Sequence, residues 1–369
     1  MLYKNLVKKV SISPEMKTKQ KNYLDKGALP IIDQGQKVIG GYTNNLNLQL
    51  SCSLPVIVFG DHTRAVKYID FPFGAGADGI KVLQPKEGIV PKYLYYATQY
   101  LVLRLEDRGY ARHYQYIEKK DLDVPDIDEQ KRVVAKIEEL FSELDNGVET
   151  LKKTKQQLAV YRQAVLKEAF SSCTKTVTVE SVCQHVTDGD HMPPPKTKDG
   201  IPFIMISNIE NHIIDWSDTA FVGDDYYNNI DDKRRPSKGD VLYTVTGSYG
   251  IPVLIDFEKK FCFQRHIALL RPKNNINQKF LYYAMQEPGI YSQATKGATG
   301  TAQKTVGLAV LRNIQIPFCD DVDTQIEIVN DIEAKMSLCD SIEKTVDTAL
   351  QQAEAMRQSI LKKAFEGEL

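Results

Sequence analysis

The chain has 369 residues, of which 42% are hydrophobic and 26% are charged, a composition typical of globular domains rather than of wholesale disorder. Its 47 basic and 48 acidic residues give a formal net charge of −1, which excludes a uniformly basic coat but not local basic patches. No apolar run reaches about 18 residues, the first ten residues have no apolar core, and no two of the six cysteines form a CxxC pair. We therefore expect a cytoplasmic chain without a signal peptide or membrane span.

The first 126 residues predict a strand-rich α/β domain, because short apolar runs alternate there with glycine- and proline-containing turns. We expect strands over 54–59 and 80–85 and a helix over 91–107. This domain carries 18 basic and 13 acidic residues and is mildly basic.

A long helix is predicted next, over 128–170, because this segment is rich in good helix formers, has no proline, and has Gly147 as its only glycine. Apolar residues recur in it with the 3-4 spacing of a coiled-coil seam. Lys155 and Arg162 interrupt the seam, and polar seam residues often fix the register of paired helices.

A second strand-rich α/β domain is predicted over 174–321, with strands over 240–246 and 266–270, and a second long helix over 323–365. This helix carries the acidic excess of the last segment, and its seam is broken at Glu343 and Arg357.

The chain is an internal duplication, because 128–170 and 323–365 are identical at 16 of 43 positions without a gap, where chance gives about two or three. Each helix finds its natural partner in the other, and the domain folded between them must return the chain, which favours an antiparallel coiled coil. We therefore predict an α+β fold with a pseudo-two-fold repeat. The predicted segments are a first domain at 1–126, a helix at 127–173, a second domain at 174–321 and a helix at 322–369.

Two loops of the first domain carry residue types suited to nucleic acid. The segment 108–117 interleaves arginine and tyrosine, which can fork onto guanine or phosphate and stack on bases, although a tyrosine-rich core strand would show the same pattern. The segment 61–67 is expected at a hairpin tip. The predicted contacts are His62, Arg64, Lys67, Arg108, Arg112, His113 and Tyr114.

The second domain offers a counterpart turn at 247–250, a proline-rich loop at 187–198, and a loop of small and polar residues at 296–305. Small residues allow close backbone approach, and Thr, Gln and Lys supply donors for phosphates and base edges. The predicted contacts are Lys196, Lys198, Ser248, Tyr249, Lys296, Thr299, Gln303 and Lys304. Asp188, Asp190 and His191 fit ordinary loop polarity better than a metal site.

Catalytic motifs are not found in the sequence. The glycine-rich run 73–79 is followed by a predicted strand rather than a helix, and Gln303 occupies the glycine position that a phosphate-binding loop requires before its lysine. GxSxG, HExxH and deaminase signatures are missing as well. We expect no catalytic residues, no metal and no cofactor in this chain.

The sequence resembles the specificity subunits of type I restriction-modification enzymes. The resemblance covers essentially the whole chain and is most specific in the helices, at 124–145 with RQAVLKEAF at 162–170, and in their repetition as RQSILKKAFEGEL at 357–369. The pieces DGDHMPP and GIPFI within 188–204 and GATGTAQKTV at 297–306 also match. The first domain departs from the pattern, with RGYARHYQYI in place of the TGTAQK turn.

The resemblance implies two target recognition domains, each reading one half of a bipartite asymmetric DNA site, with the coiled coil setting the spacer. It further implies that the helices dock two modification subunits, which bind S-adenosylmethionine, and that restriction subunits using ATP and Mg²⁺ join this core. The alternatives are a coiled-coil adaptor for proteins without DNA binding and a self-contained methyltransferase or nuclease.

Overall fold

The computed structural model describes residues 1–77, 79–106, 109, 111–191 and 194–369. These residues form two compact units. The first unit comprises Met1–Lys152 and Asp347–Leu369, and the second comprises Lys153–Val346. Each unit therefore contains one globular domain and a segment of each long helix.

The first unit contains seven strands in its described part. The strands are β1 (Val7–Val10), β2 (Leu29–Ile32), β3 (Gly41–Thr43), β4 (Val56–Gly60), β5 (Val66–Ile69), β6 (Gly74–Ala75) and β7 (Ile80–Pro85). The helices are α1 (Pro91–Leu103), α2 (Tyr114–Ile117) and the first long helix α3 (Ile127–Ala169), which continues into the second unit.

The second unit repeats this order with insertions. Its strands are β8 (Lys175–Thr178), β9 (Cys183–Asp188), β10 (Lys196–Thr197), β11 (Ile201–Ile204), β12 (Ile209–Glu210), β13 (Ile213–Ile214), β14 (Ala220–Val222), β15 (Val241–Thr244), β16 (Pro252–Leu254), β17 (Cys262–Phe263), β18 (Ile267–Pro272) and β19 (Gln315–Phe318). Its helices are α4 (Val179–Val182), α5 (Asp224–Asn229), α6 (Gln278–Ala284), α7 (Pro288–Gly297), α8 (Leu308–Asn313) and the second long helix α9 (Val322–Glu366), which ends in the first unit. Short 3₁₀ turns lie at Tyr3–Asn5, Pro14–Met16, Gln20–Asn22, Leu46–Leu48, Phe170–Ser172, Ile206–Asn208 and Asp232–Arg234.

The two units share one sheet topology. The main antiparallel sheet has the strand order β1-β7-β4-β5 in the first unit and β9-β18-β15-β16 in the second. A smaller mixed sheet has the order β3-β2-β6 in the first unit and β14-β11-β17 in the second, where β10 extends it. In both small sheets the central strand is antiparallel to one neighbour and parallel to the other. The duplication seen in the helices therefore extends to the domains.

The α+β fold is confirmed, with small differences at element ends. The strand predicted over 80–85 is found as β7, and the long helices begin at Ile127 and Val322. Helix α1 stops at Leu103 rather than at 107, because the apolar face that packs on the sheet ends there and charged residues follow. The last four residues of the tyrosine-rich stretch, for which a core strand was the alternative, instead form the short helix α2. No helix in the described part of the chain is long and apolar enough to cross a bilayer.

The seam-breaking residues of the long helices pair with charged side chains of the facing helix within each unit. In the second unit, Arg162 Nη2 lies 2.7 Å from Asp340 Oδ1 and 3.0 Å from Glu343 Oε2, and Lys155 Nζ lies 3.5 Å from Glu343 Oε1. In the first unit, the Arg357 guanidinium pairs with Asp145. Polar seam residues therefore meet polar partners, which fixes the antiparallel register as the sequence predicts.

Each long helix ends on a globular domain through a phenylalanine. Phe170 meets Phe280 edge-on in the second unit, with ring centroids 5.4 Å apart. Phe365, its repeat counterpart, packs on Tyr93 and Tyr100 in the first unit, at centroid distances of 5.2 and 5.3 Å. The repeated AF at the end of each helix is thus part of a domain core.

A buried glutamine in the first turn of each long helix joins the helix to its domain. Gln130 donates from Nε2 to the carbonyl oxygens of Gly88 (3.0 Å) and Pro125 (2.9 Å), and its Oε1 accepts from the amide of Val90 (2.8 Å). Val90 is the residue that caps the start of α1. The amide group therefore connects the starts of two helices.

Gln325 repeats this arrangement in the second unit. Its Oε1 accepts from the amide of Asn277 at 2.8 Å, and its Nε2 donates to the carbonyl oxygen of Cys319 at 2.9 Å. Asn277 caps α6. Both glutamines are at most 1% exposed, so these bonds are made away from water, where polar groups left without a partner are costly.

Replacing either glutamine by leucine should strongly destabilise its own unit. Gln130→Leu leaves the Val90 amide and two carbonyl oxygens unsatisfied, and Gln325→Leu does the same at the Asn277 amide. We expect a loss of about 2–4 kcal/mol in the free energy of unfolding. Denaturant unfolding of the full chain measures it, with the exposed Gln157→Leu as the control, expected within about 0.5 kcal/mol of the parent. Equal stability of all three variants would contradict the role assigned to these side chains.

Candidate nucleic-acid interface

One end of the main sheet gathers the predicted loops in each unit. In the second unit, β9 and β15 end at this edge and β18 and β16 begin there, as the pairs Ala268–Asp188, Thr244–Ile267 and Tyr243–Pro252 require. We call this surface the loop edge. It comprises 188–191, 245–250, 264–266 and 299–306 in the second unit, and 61–65, 111–114 and the described residues of 76–79 in the first.

Backbone hydrogen bonds connect the loops of the second unit side by side. The amide of Gly247 donates to the carbonyl oxygen of Lys304 at 3.0 Å, and the amide of Val306 donates to that of Val245 at 2.8 Å. The amide of Val245 in turn donates to the carbonyl oxygen of His266 at 2.9 Å. The turn at 245–250 and the loop at 299–306 are therefore one surface, although residues 251–298 separate them in sequence.

The first unit makes the corresponding connections. The amide of His113 donates to the carbonyl oxygen of Asp61 at 2.8 Å, and the amide of Tyr114 donates to Asp61 Oδ1 at 2.9 Å. The amide of Asp61 donates to the carbonyl oxygen of Gly79 at 2.6 Å. The segment around Arg112 therefore occupies the place of the TGTAQK loop, and the turn after β4 is the counterpart of the turn after β15.

Most of the predicted residues in the second unit lie exposed at this edge or beside it. Ser248, Thr299, Gln303 and Lys304 are exposed on the two connected loops, and Lys296 is exposed in the last turn of α7. Gly247 has φ +70°, a backbone conformation that favours glycine, and the Gln303 side chain crosses this turn, with its Nε2 2.9 Å from where a Cβ on Gly247 would stand.

Tyr249, Lys196 and Lys198 are placed differently. Tyr249 stacks on Tyr291 with centroids 5.5 Å apart, and its hydroxyl donates to Thr295 Oγ1 at 3.1 Å, so its ring is partly used in packing. Lys196 lies on β10 and Lys198 just after it, at the margin of the smaller sheet. Both lysines are exposed, but the backbone bonds of the loop edge do not include them.

In the first unit, three predicted contacts are accessible. Arg112 is exposed, and His62 and Arg64 are half-buried on the turn between β4 and β5. Arg64 adopts φ +61°, and His62 Nδ1 lies 3.2 Å from the carbonyl oxygen of Ala111. The hairpin tip predicted at this position is therefore found. Arg108 lies outside the described residues.

The prediction was wrong for three side chains of the first unit. Lys67 lies in β5 rather than at the tip, is 4% exposed, and donates from Nζ to the carbonyl oxygen of Asp33 at 2.7 Å. Burial lowers the pKa of Lys67, and the Asp33 carboxylate opposes this shift. His113 and Tyr114 are 1% and 3% exposed, because they anchor their segment to Asp61. None of the three presents its side chain to solvent, so we remove them from the candidate contacts.

The two aspartates of the DGDH sequence contact other side chains of the same chain. Asp188 Oδ2 lies 2.8 Å from His191 Nε2, and its Oδ1 lies 3.5 Å from Arg234 Nη2. Asp190 Oδ2 accepts from the Tyr226 hydroxyl at 2.8 Å. Across the described residues no group of His, Cys, Asp and Glu side chains is arranged to hold a metal ion.

The sequence analysis missed Arg265, which is exposed at the loop edge of the second unit. Its only signal was a polar triplet, Gln264 to His266, between two apolar strands.

Comparisons with known proteins agree with this geometry. Residues 174–352 match the family model described as type I restriction modification DNA specificity domain. The specificity subunit of the type I restriction enzyme EcoBI from Escherichia coli is 27% identical over 278 residues, covering 67% of this chain. The EcoKI specificity subunit from E. coli strain K12 is 26% identical over 273 residues, covering 68% of this chain. The chain spans 58% of the length of each of these two relatives.

Solved structures share the fold over the whole chain. A chain from a study of complex assembly and conformational transition in the type I R-M system aligns with a TM-score of 0.70 at 15% identity, covering 100% of this chain and 97% of that one. The HsdS subunit from Thermoanaerobacter tengcongensis aligns with a TM-score of 0.54 at 16% identity, covering 100% and 96%.

The fold and the loop edge define a duplicated α+β scaffold, in which one topology presents two different sets of loops. More particularly, residues 174–352 match the family described as type I restriction modification DNA specificity domain, and the predicted resemblance to specificity subunits is confirmed.

Removing the Asp61 carboxylate should release the segment at 111–114 from the loop edge of the first unit. Asp61 is 3% exposed, and its Oδ1 holds the Tyr114 amide. Asp61→Ala should therefore cost about 1–3 kcal/mol and speed hydrogen exchange at the amide of Tyr114. Asp61→Asn keeps an oxygen acceptor and should retain most of the protection. Equal exchange in parent and Asp61→Ala would show that the carboxylate does not hold this segment.

Proposed function

We propose that this chain is the DNA-recognition subunit of a type I restriction-modification complex. Each unit reads one half of a bipartite, asymmetric DNA site with its loop edge, and the paired long helices set the spacing of the half-sites. The observation that carries the proposal is the duplicated loop edge, which combines one backbone arrangement with unlike side chains in the two units. Similar readers with different loops suit a split site with unlike halves.

The chain acts in this proposal without chemistry of its own. Lys304 and Gln303 of the second unit and Arg64 and Arg112 of the first contact DNA. Their side chains are suited to phosphate and base-edge contacts. Methylation and cleavage belong to partner subunits that bind S-adenosylmethionine, ATP and Mg²⁺. The partners are double-stranded DNA, two modification subunits and restriction subunits, in the cytoplasm.

The long helices supply a surface for two copies of one partner. In the first unit a groove between α3 and α9 runs past Leu144, Gly147, Ala353 and Met356. Met356 is 55% exposed, and a Cβ on Gly147 would meet open space.

The repeat places the same positions in the second unit. At the repeat offset of 195 residues, Met356 corresponds to Tyr161, which is 46% exposed. Gly147 corresponds to Ile342, which is 37% exposed. Leu338, on the same face of α9 as Ile342, is 59% exposed. Apolar side chains left open at repeated positions favour two equivalent docking sites.

Truncating a basic contact should weaken DNA binding in a salt-dependent way. We expect Arg112→Ala or Lys304→Ala, in the complex with modification subunits, to lower affinity and to reduce the slope of log affinity against log salt by about one. Lys238→Ala is the matched control, an exposed lysine at the opposite end of the same sheet as Lys304. Parent-like binding by both variants would show that these are the wrong loops. A parent complex indifferent to DNA would favour the protein-binding adaptor instead.

Charged substitutions at the two repeated positions should remove modification subunits one at a time. Met356→Glu should leave a complex with one modification subunit, Tyr161→Glu should do the same at the other site, and the double variant should bind none. A carboxylate buried against an apolar partner face is costly, so the loss should be large. Mass measurement of the assembled complexes counts the subunits, with the exposed Lys152→Glu on α3 as the control. Two subunits on the double variant would contradict the docking sites.

A further inference from the structure

Arg265 stands at the tip of a tight turn in the middle of the loop edge. The amide of Ile267 donates to the carbonyl oxygen of Gln264 at 3.1 Å, which closes a four-residue turn with Arg265 as its second residue. This turn joins β17 of the smaller sheet to β18 of the main sheet.

Backbone bonds hold the turn from three directions. The amide of Gln264 donates to the carbonyl oxygen of Ile204 at 3.0 Å, and the amide of Arg265 donates to that of Asp190 at 3.2 Å. The carbonyl oxygen of His266 accepts from Val245. A Cβ on the adjoining Gly189 would stand 2.1 Å from the carbonyl oxygen of Phe263. The backbone at Gly189 therefore packs directly against the residues that lead into this turn. The Cα of Arg265 is therefore fixed within the edge.

The side chain of Arg265 extends from this fixed backbone, and the part of the chain that the structure describes offers it no charged partner. Arg265 is exposed, and within the described ranges it forms no ion pair. The carboxylate of Asp188, in the adjoining segment, is paired with Arg234 and His191. The fixed backbone places this cation at one position of the edge, and its planar, unpaired guanidinium is suited to a bidentate contact that selects its target.

The first unit has the same turn position without the arginine. Gly76 donates its amide to the carbonyl oxygen of Ile32 at 2.8 Å, as Gln264 does to Ile204. Gly76, Ala77 and Gly79 then replace the polar triplet, and Asp78 lies outside the described residues. The scaffold is common to both units, and the cation belongs to one of them.

We propose that Arg265 reads a guanine in the half-site bound by the second unit, by forking its guanidinium onto O6 and N7 in the major groove. This inference rests on the DNA-recognition function proposed above. Gln303 and Lys304 lie on the same surface as Arg265, because the Gly247 amide bonds to Lys304 and the Val245 amide bonds to His266. A phosphate or base contact by these two residues is therefore compatible with the arginine contact.

The test maps methylated sites after reconstitution with the partner modification subunits, for the parent and for Arg265→Ala, Arg265→Lys and Lys238→Ala. The parent is expected to give a bipartite site with a guanine in one half. Arg265→Ala should accept other bases at that one guanine, with about 10- to 100-fold less discrimination, and leave the other half-site unchanged. Arg265→Lys keeps the charge but not the fork, so it should also relax the guanine position, while Lys238→Ala should match the parent.

Two results would overturn the inference while the proposed function stands. One is a parent-like base preference in Arg265→Ala with uniformly weaker binding, which identifies a phosphate contact. The other is a relaxed position that is not guanine. A parent complex that methylates no bipartite site would overturn the proposed function itself, and it is recognised before any variant is measured.

Discussion

The arrangement of each unit depends on one buried amide side chain in the first turn of a long helix. Gln130 and Gln325 each accept from the amide that begins a domain helix and donate to carbonyl oxygens of the preceding chain. These bonds are directional and shielded from water, so they fix the angle at which the helix leaves its domain more narrowly than apolar packing could. Corresponding bonds in both copies mean that this connection was duplicated together with the fold.

On this common frame the two units differ mainly at the loop edge. Backbone bonds place three segments side by side in both units, yet the side chains they present are unlike, with Arg64 and Arg112 in one unit and Arg265, Gln303 and Lys304 in the other. Main-chain bonds tolerate changes of side chain, so recognition can change without refolding the domain. This separation of scaffold from loops is what a reader of two different half-sites requires.

The sequence alone predicted the fold class, the duplication and both long helices, because helix periodicity and a repeat at a constant offset can be seen without knowing which residues meet in the fold. It also paired the turn after β4 with the turn after β15. It misplaced Lys67, His113 and Tyr114, because a charged or aromatic residue has the same letter whether it is exposed or anchored beneath a loop. Arg265 was missed because its prominence arises from three strands and a turn that meet only in the folded chain. Gln130 and Gln325 were identical in the repeat, and a polar residue retained beside an apolar seam could have indicated their burial.

The two units also differ in the order in which their parts are made. Unit 2 is one continuous stretch, Lys153–Val346, whereas the first unit needs Asp347–Leu369 to cover Tyr93 and Tyr100 through Phe365. During synthesis from the amino terminus, the first domain is therefore made before Asp347–Leu369, the segment that covers its aromatic surface. The second unit can therefore close before the first unit is complete.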